Sequence, residues 1–497
     1  MSASQNICKQ PVVAIVGHID HGKTTLLDYI RKTSVAAKET GGITQRVSAY
    51  EITHDTPEGP RAVSFIDTPG HEAFQKMRRR AGAAADIAIL IVAADDGVKP
   101  QTIEAYKAIQ EADIPFIVAF TKIDKDTANL DRAKETVGKE GIYLEGLGGD
   151  VPFVGVSGKT GAGVPELLDL IILVADLHNI SCDASKPVEA MVIESSRDTK
   201  TGISATVVVK QGTLIPGGFA VALGAMAPIR ALEDSTGAKA SAVTCGKSAR
   251  ITGFSAEPPA GSILTVVATK KEAEAAVSAA EKAPAGGHRG AQVSGEEGRV
   301  TIRLVLKAES AGGLEALEYE MQKISQERVD LLVVSRSFGS ITENDIKPLI
   351  GFSPAIVLGF NVKVDPSAKD LAERQHISIE TRSIIYELTD WLKTEVQRLT
   401  PERAADAVTG SAQILKHFST SGAKHVIGGR VEKGAVSMND RVTIQRRGIE
   451  VGSGKITNLQ MQRLDVSTVP EGMEFGAQIE TKADLVAGDT IFATPKK

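Results

Sequence analysis

The sequence predicts a multidomain protein of the α/β plus β class, on three observations. Residues 11 to about 180 alternate apolar strands with helical patterns, which is typical of a mostly parallel sheet covered on both faces. Two later stretches, 186–271 and 408–497, contain short strand-like runs separated by glycine and proline turns, which predicts two β-barrels. Alternation returns over 299–383, which predicts an α/β/α sandwich domain followed by a long connecting helix at 384–400.

Length and composition fit this division into domains, and the net charge shows that the chain as a whole is not a polycation. The 497 residues suggest about three or four domains, and residues 272–298 are rich in alanine, glutamate, lysine and glycine, which predicts a linker. A net charge of −5 means that any nucleic-acid contact comes from local patches.

Cysteine usage and the N-terminus predict where the protein works. Cys8, Cys182 and Cys245 lie far apart without metal-ligand spacing, which favours a reducing compartment and no disulfide framework. No apolar run reaches the length of a membrane span, and residues 1–10 lack a signal peptide. We therefore expect a cytoplasmic monomer with no membrane partner. Its four predicted domains are residues 1–180, 186–271, 299–383 and 408–497.

The first predicted strand, 12–16, runs into a phosphate-binding loop. Gly17 and the Gly-Lys-Thr at 22–24 are four residues apart, and a helix follows, so a chance glycine turn is the weaker explanation. Backbone N–H groups of such a loop bind phosphate oxygens, with help from the helix dipole. Lys23 is predicted to reach the β- and γ-phosphates, and Thr24 to ligate Mg²⁺. The predicted nucleotide-binding residues here are Gly17, His18, Asp20, His21, Gly22, Lys23, Thr24 and Thr25.

Two further segments predict contacts with a γ-phosphate and its metal ion. Asp67 ends a strand and is predicted to hold Mg²⁺ through water, while Gly70 offers a backbone N–H to the γ-phosphate. Thr44, in a glycine-containing loop, is predicted to add a ligand when nucleotide and metal are present. His71, directly after Gly70, is predicted to orient the attacking water.

The ends of the last two strands predict a guanine site. A buried carboxylate at Asp124 accepts from guanine N1–H and the 2-amino group together, and adenine would leave it unpaired. The predicted base-site residues are Thr121, Lys122, Asp124, Ser157, Gly158 and Lys159. With the phosphate loop, these elements predict a P-loop GTPase domain that takes GTP and Mg²⁺.

These motifs, with the Ala94–Val98 and Pro100–Thr102 segments, resemble those of the translational GTPases. Gly41–Gln45 and Asp67–Phe74 are similar to the bacterial-type translation initiation factor two family, and the resemblance extends from Pro11 to Ile491. We expect a minimal form without the usual long N-terminal extension. One departure is Thr121, where the family normally has asparagine. A threonine hydroxyl still bonds toward the phosphate loop, but with fewer contacts.

The resemblance implies a ribosome-activated GTPase that promotes placement of initiator formylmethionyl-tRNA on the small subunit and joining of the large subunit. It also implies that the second domain docks on the small subunit and that the connecting helix, solvent-exposed in its far part, leads to a tRNA-binding barrel. In this last barrel the chain keeps only part of the family pattern. Gly428-Gly429 stands where the family has glycine-cysteine, and Gln-Met-Gln at 460–462 stands where it has a Lys-Arg-aromatic stretch. The residues carried over as tRNA-binding are Gly429, Arg463, Glu474, Phe475 and Gly476.

Two alternatives remain open. The altered last barrel also fits a ribosome-associated GTPase, such as an assembly or stress factor, that does not select initiator tRNA. A nucleotide-gated binding scaffold without useful hydrolysis is the other alternative. It is disfavoured by the complete set formed by Lys23, Thr24, Asp67, Gly70 and His71.

Overall fold

The computed structural model describes residues 6–32, 44–45, 47–198, 201–282, 300–324, 329–399, 409–421, 423–446, 449–462, 464–481 and 483–494. The chain forms two compact units, Met1–Leu399 and Thr400–Lys497. The finer division predicted from the sequence stays a prediction. Within the described ranges, no helix has both the length and the apolar character needed to cross a membrane.

The first part of the first unit contains eight strands, six of which form one sheet between helices, while the other two pair with each other. The strands are β1 (Asn6–Cys8), β2 (Val12–Gly17), β3 (Ser48–Thr56), β4 (Gly59–Asp67), β5 (Ile87–Ala93), β6 (Phe116–Thr121), β7 (Phe153–Gly155) and β8 (Ser181–Asp183). The helices are α1 (Lys23–Arg31), α2 (Gln75–Ala84), α3 (Pro100–Ala112), α4 (Leu130–Lys139) and α5 (Val164–Leu177). The sheet order is β3-β4-β2-β5-β6-β7, while β1 pairs with β8.

Strand direction and burial place the predicted site at one edge of this sheet. β2, β4, β5, β6 and β7 pair in parallel, so their carboxyl ends meet at that edge. Every residue of β5 is buried, as expected for a central parallel strand. β3 was not among the predicted strands. It is an antiparallel edge strand that is mostly partly exposed, and its second half is polar, so no apolar run marks it in the sequence.

The next part of the chain, for which the sequence predicts a barrel, is an eight-stranded antiparallel sheet with a separate two-stranded pair. Its strands are β9 (Glu189–Asp198), β10 (Gly202–Gln211), β11 (Thr213–Leu214), β12 (Phe219–Ala222), β13 (Ala225–Pro228), β14 (Leu232–Glu233), β15 (Lys239–Ala240), β16 (Val243–Thr244), β17 (Ser248–Thr252) and β18 (Ile263–Val267). They surround one apolar core. The stretch predicted as a linker begins with helix α6 (Lys270–Lys282), whose Ala273 is buried and which contacts β12. Residues 283–298 of that stretch lie outside the described part of the chain.

A disulfide corrects the expectation drawn from the cysteines. Cys182 on β8 is bonded to Cys245, 63 residues further along the chain. The Gly212 N–H donates to the Asp183 carbonyl oxygen at 3.3 Å, so local pairing holds β8 beside the turn before β11. Sequence spacing could not reveal this proximity, and the cysteines no longer argue for a reducing compartment.

The last part of the first unit, residues 300–324 and 329–382, called the third domain below, is a parallel four-stranded sheet with helices on both faces. Its elements are β19 (Val300–Ala308), α7 (Ala311–Gln322), β20 (Val329–Phe338), α8 (Glu343–Ile346), β21 (Ala355–Phe360), α9 (Pro366–Arg374) and β22 (Ser378–Arg382), and α10 (Ile385–Leu399) follows. The sheet order is β20-β19-β21-β22. One face packs against α7 and α10, and the other against α8 and α9.

The third domain packs against helix α2, and helix α10 packs onto the third domain. Arg80 on α2 bonds Glu315 on α7 at 2.7 and 3.2 Å. Helix α10 is buried along its whole apolar stripe, since Val396 near its end is 1% exposed. The expectation that the far part of this helix stands in solvent is therefore wrong.

The second unit is a closed β-barrel. Its strands are β23 (Gly410–Ser421), β24 (Lys424–Ser437), β25 (Arg441–Arg446), β26 (Ile449–Met461), β27 (Leu464–Asp465), β28 (Thr468–Pro470), β29 (Glu474–Thr481) and β30 (Thr490–Thr494). Six of them form a ring, because β23 pairs with both β30 and β24. With this barrel, the predicted fold class is confirmed.

Candidate functional site

The phosphate-binding loop lies between β2 and α1. Gly17 approaches β5 so closely that an added Cβ would lie 2.6 Å from the Ile91 carbonyl oxygen. Asp20 and Gly22 have left-handed φ angles of 59° and 85°. The Gly22 carbonyl oxygen accepts the first helical bond, from the Leu26 N–H at 2.9 Å. The loop therefore turns tightly onto the N-terminus of α1, as phosphate binding requires.

A cavity of about 310 Å³ lies at the edge of the sheet where the parallel strands end. The predicted site residues that line it are Asp20, Gly22, Lys23, Thr24, Thr25, Thr44, Gly70, His71, Thr121, Lys122, Asp124, Gly158 and Lys159. The predicted residues Gly17, His18, His21, Asp67 and Ser157 are not part of its lining. The sequence reasoning missed Phe74, Lys125, Ile385 and Tyr386, which also line it.

Lys23 lies across the loop at the bottom of this cavity. Its ammonium donates to the carbonyl oxygens of Gly17 at 3.0 Å and His18 at 2.5 Å. Burial lowers the pKa of Lys23 to about 8. Gly70 lies so close that an added Cβ would be 2.5 Å from the lysine Nζ. A larger residue at 70 would therefore displace the Lys23 ammonium from its place in the loop.

Three oxygen-bearing side chains converge beside Lys23. The Thr24 and Thr44 Oγ1 atoms lie 2.8 Å apart, and the Thr44 hydroxyl donates to Asp67 Oδ2 at 3.5 Å. Thr44 and Asp67 are buried. Two hydroxyls and a carboxylate are the ligand type that a hard cation such as Mg²⁺ prefers, so these residues fit the predicted ion.

The two loop histidines turn away from the cavity. His21 Nδ1 accepts from the Ala93 N–H at 3.3 Å, and Nε2 lies 3.5 Å from Asp96 Oδ2. Burial lowers the pKa of His21 to about 4, so its imidazole is neutral at pH 7. Burial also lowers the pKa of His18, whose ring packs edge-on against His21 with centroids 4.9 Å apart. Contacts of these residues with a nucleotide would come from their backbone.

The predicted base site forms where β6 and β7 end. The Ser157 hydroxyl donates to Asp124 Oδ1 at 2.7 Å, and this bond is the main reason that the pKa of Asp124 is lowered. Ser157 Oγ in turn accepts from the Lys159 and Thr160 N–H groups, which fixes this loop. The Thr121 hydroxyl donates to the His21 carbonyl oxygen at 2.5 Å, so it ties β6 to the phosphate loop.

The expected burial of Asp124 is wrong. Its side chain is exposed because β6 ends at Thr121 and the chain then leaves the sheet edge. Lys122 and Lys159 line the cavity beside Asp124. The bond from Ser157, and not burial, therefore fixes the position of the Asp124 carboxylate at the end of the cavity.

His71 lies on the side of the cavity that faces the third domain. Its Nδ1 accepts from the Ala73 N–H at 3.0 Å, so the neutral ring carries its proton on Nε2. Burial lowers the pKa of His71, although the nearby carboxylates Glu320 and Glu72 oppose that change. A ring nitrogen lies within 4.8 Å of oxygens of both carboxylates.

The start of helix α10 also reaches this site. The Tyr386 ring packs edge-on against the His71 imidazole, with centroids 4.2 Å apart and planes at 89°. The Gln45 amide donates to the Ser383 carbonyl oxygen at 3.0 Å, and its oxygen accepts from the Ile385 N–H at 3.2 Å. No local motif marks these contacts, because they join segments more than 300 residues apart.

The second unit has a cavity of about 520 Å³ on its barrel. Gly429, Glu474, Phe475 and Gly476, all predicted as tRNA-binding, line it, because β24 pairs with β29 at these residues. Arg463 lies outside the described residues. The lining also includes Leu415, Lys416, Phe418, Val426, Ile427, Gly428, Gln460 and Gln462.

The two phenylalanines that line this barrel cavity differ in exposure to solvent. Phe475 is 5% exposed and belongs to the barrel core, whereas Phe418 is 60% exposed. An added Cβ on Gly428 would lie 3.0 Å from the Phe418 ring, so glycine lets that ring lie against the strand. The Lys416 ammonium lies 5.6 Å from the centroid of the same ring. Irregular pairing of β23 at 414–419 brings these side chains to the cavity, which alternation alone did not predict.

Comparison with known proteins matches three parts of the chain to family models. Residues 9–176 match the elongation factor Tu GTP binding domain, residues 187–267 match elongation factor G domain 2, and residues 288–393 match translation-initiation factor 2. The fold, the site and these matches define a translational GTPase, with a guanine nucleotide as its ligand.

Curated relatives identify the family. Translation initiation factor IF-2 of Carboxydothermus hydrogenoformans is 40% identical over 98% of this chain, which spans 59% of that protein. The factor of Rubrobacter xylanophilus is 38% identical over 97% of this chain, which spans 71% of that protein. The chain belongs to the translation initiation factor IF-2 family. Among solved structures, GDP-bound aIF5B from Aeropyrum pernix is 27% identical with a TM-score of 0.48, covering 98% of this chain and 92% of its own.

Proposed function

We propose that the protein is a GTP-dependent switch in translation initiation. In this proposal GTP-bound protein promotes placement of initiator formylmethionyl-tRNA on the small ribosomal subunit and joining of the large one, and the ribosome then activates hydrolysis. The observation that carries the proposal is the convergence of Thr24, Thr44 and Asp67 beside Lys23 and Gly70. This set links a triphosphate to two separate chain segments.

Each residue at the phosphate end has a defined part in binding. Lys23 exchanges its two carbonyl partners for β- and γ-phosphate oxygens, and Gly70 offers its N–H to the γ-phosphate. Thr24, Thr44 and, through water, Asp67 would hold Mg²⁺, which neutralises phosphate charge when bound. Loss of the γ-phosphate removes the partner of the Gly70 N–H and weakens the site at which Thr44 would hold Mg²⁺, so both segments are released after hydrolysis.

Base selection rests on the held carboxylate of Asp124. Its low pKa keeps it ionised at pH 7, as an acceptor for guanine N1–H and the 2-amino group. Adenine has no donor at either position that would satisfy this carboxylate. Lys122 and Lys159 lie where their stems can cover the base.

Hydrolysis depends on positioning more than on covalent chemistry by the protein. His71 orients the attacking water after ribosome contact has moved it from its place beside the third domain. Among the residues that the structure describes, no arginine lines the nucleotide cavity, so slow turnover of the free protein is expected.

Phosphate release tests the switch. With saturating GTP and Mg²⁺, 70S ribosomes should increase the steady-state rate at least a hundredfold over free protein. His71→Ala should lose this increase while retaining GTP affinity. Equal rates with and without ribosomes would refute ribosome activation.

The barrel cavity supports the tRNA part of the proposal. Exposed Phe418 offers a stacking surface for the terminal base, Lys416 offers a cation for backbone phosphate, and the apolar floor fits a methionyl side chain. Volumes of about 300–1,000 Å³ are usual for small-ligand sites, and this cavity falls within that range.

A second candidate function is favoured by the same cavity. Among its described lining residues Lys416 is the sole cation, and Glu474 adds an acid, which suits an RNA phosphate poorly. This fits a ribosome-associated GTPase that does not select initiator tRNA. Protection of formylmethionyl-tRNA against deacylation, compared with unformylated methionyl-tRNA, distinguishes the two functions. Preferential protection of the formylated form supports initiation, and none supports the alternative.

A further inference from the structure

The first turn of the connecting helix α10 is part of the nucleotide site. Ile385 and Tyr386 line the same cavity as Lys23 and Thr44. Burial raises the pKa of Tyr386 to about 12, so its ring stays neutral and packs as an aromatic surface. Its edge-on contact with His71 has 4.2 Å between centroids, which is closer than the roughly 4.5–7 Å usual for aromatic pairs, so the two rings are in direct contact.

Other groups also contact the His71 imidazole. Nδ1 accepts from the Ala73 N–H, and a ring nitrogen faces the carboxylates of Glu72 and Glu320. The Lys323 ammonium bonds both carboxylates, so this is a closed ion-pair group rather than an open ligand site. His71 is therefore held toward the third domain, with the Tyr386 ring as the contact that α10 supplies.

The same turn is tied to the predicted metal-binding segment. Gln45 directly follows Thr44, and its side-chain amide bonds both the Ser383 carbonyl and the Ile385 N–H. These two bonds hold the chain just before and at the first residue of α10, on either side of Ile384. A change in the position of Thr44 would therefore be passed to Tyr386 through one residue.

We propose that Tyr386 is a positioning residue that keeps His71 turned toward the third domain, and that Gln45 links this hold to Thr44. The inference rests on the proposed role of His71 in orienting water. In the free protein the edge-on ring limits how often the imidazole reaches the attacking water. Movement of the first turn of α10 on the ribosome releases it, so hydrolysis is coupled to the helix that leads toward the second unit.

The main test measures single-turnover GTP hydrolysis without ribosomes. Tyr386→Leu keeps an apolar side chain but removes the ring, and it should raise the rate roughly two- to tenfold, the factor expected for loss of one aromatic pair. Tyr386→Phe retains the ring and should restore the slow rate. Trp391→Leu makes the same type of change further along α10, and should leave the rate unchanged. Each variant is assayed with the enzyme fully loaded with GTP, so that a change in affinity does not enter the rate, and a wild-type circular dichroism spectrum shows that it folds.

Two further variants make the test specific. The increase in Tyr386→Leu must vanish in the double variant with His71→Ala, because Tyr386 acts through that imidazole. Gln45→Ala should raise the rate with the same sign but less, since it frees the helix start without removing the ring. An unchanged rate in Tyr386→Leu, or an increase that persists without His71, overturns the proposal, and an unchanged rate in Gln45→Ala overturns the link to Thr44.

A spectroscopic readout separates positioning from general loosening. In protein labelled with ¹³C-histidine, the Tyr386 ring current shifts the His71 imidazole signal, which is assigned by its loss in His71→Ala. That shift should disappear in Tyr386→Leu and remain in Tyr386→Phe and Trp391→Leu. An unmoved signal in Tyr386→Leu contradicts the contact.

Failure of this inference and failure of the proposed function give different results. If His71→Ala keeps full ribosome-stimulated hydrolysis, the proposed role of His71 is wrong. If His71→Ala is inactive on ribosomes but Tyr386→Leu hydrolyses GTP at the wild-type rate without them, the role of His71 stands and that of Tyr386 is wrong.

Discussion

The nucleotide cavity and the barrel cavity are built in different ways. In the first, short loops at the ends of parallel strands bring Lys23, Thr24 and Gly70 together, and the ligand's charges dictate those residue types. In the second, a curved strand pair exposes Phe418 and Lys416 beside glycines, and shape rather than a fixed motif defines the cavity. The comparison teaches that phosphate chemistry leaves a pattern in the sequence, whereas a cavity defined by shape leaves no fixed motif.

The largest effect is expected where charge decides binding. Lys23→Ala removes two charge-assisted hydrogen bonds to phosphate and should weaken GTP binding at least a hundredfold. Fluorescence titration with a labelled GTP in Mg²⁺ measures this. Lys76→Ala, which removes an exposed lysine on α2, should bind as the wild type does. Similar affinities for the two variants would mean that Lys23 does not contact the triphosphate.

A smaller effect is expected at the barrel. Phe418→Ala removes the exposed aromatic surface and should weaken binding of formylmethionyl-tRNA about 5- to 100-fold, as expected for one stacked base. Met473→Ala is the control, because Met473 is 49% exposed on the same barrel but does not line the cavity. Equal losses in the two variants would show that the cavity is not the tRNA site.

The one altered nucleotide motif should respond modestly. Thr121→Asn supplies an amide with more hydrogen-bonding groups toward the phosphate loop than the single bond now made to the His21 carbonyl. One additional bond should tighten both GTP and GDP about fivefold without changing the preference for guanine. Competition binding measures both nucleotides. An unchanged affinity would mean that the threonine already supplies all that this position contributes.

The smallest effect is a proton taken up on binding. The pKa of Lys23 is about 8 in the free protein because of burial, and a phosphate partner raises it. Lys23 is mostly protonated at pH 7, so binding takes up little there. At pH 8.5 it is mostly neutral, so GTP binding should take up most of one proton. Calorimetry in two buffers of different ionisation enthalpy measures the uptake, and equal uptake at both pH values would contradict this assignment.

The sequence predicted most of the nucleotide end because each motif there lies within a short segment. The loop from Gly17 to Thr24, the turn at Gly70 and the segment at Ser157 follow strands whose burial is visible as apolar runs. The exposure of Asp124 was not predicted, since a strand end does not say how far the following loop leaves the sheet.

Contacts between distant segments could not be predicted. Tyr386 reaches His71 and Gln45 reaches Ser383 through tertiary packing alone. The Cys182–Cys245 disulfide depends in the same way on how β8 lies against the strands around Cys245. The buried far end of α10 was missed because an apolar stripe shows that a helix packs, but not how far its partner extends.

Competition between nucleotides tests the central claim, that a guanine triphosphate held by this site sets the switch. Unlabelled GTP and ATP are compared as competitors for bound fluorescent GTP in Mg²⁺. The account predicts that GTP displaces the probe roughly a hundredfold more effectively than ATP, because adenine lacks the N1–H and 2-amino donors and so loses two hydrogen bonds to the charged Asp124 carboxylate. Equal displacement by the two nucleotides would contradict the account.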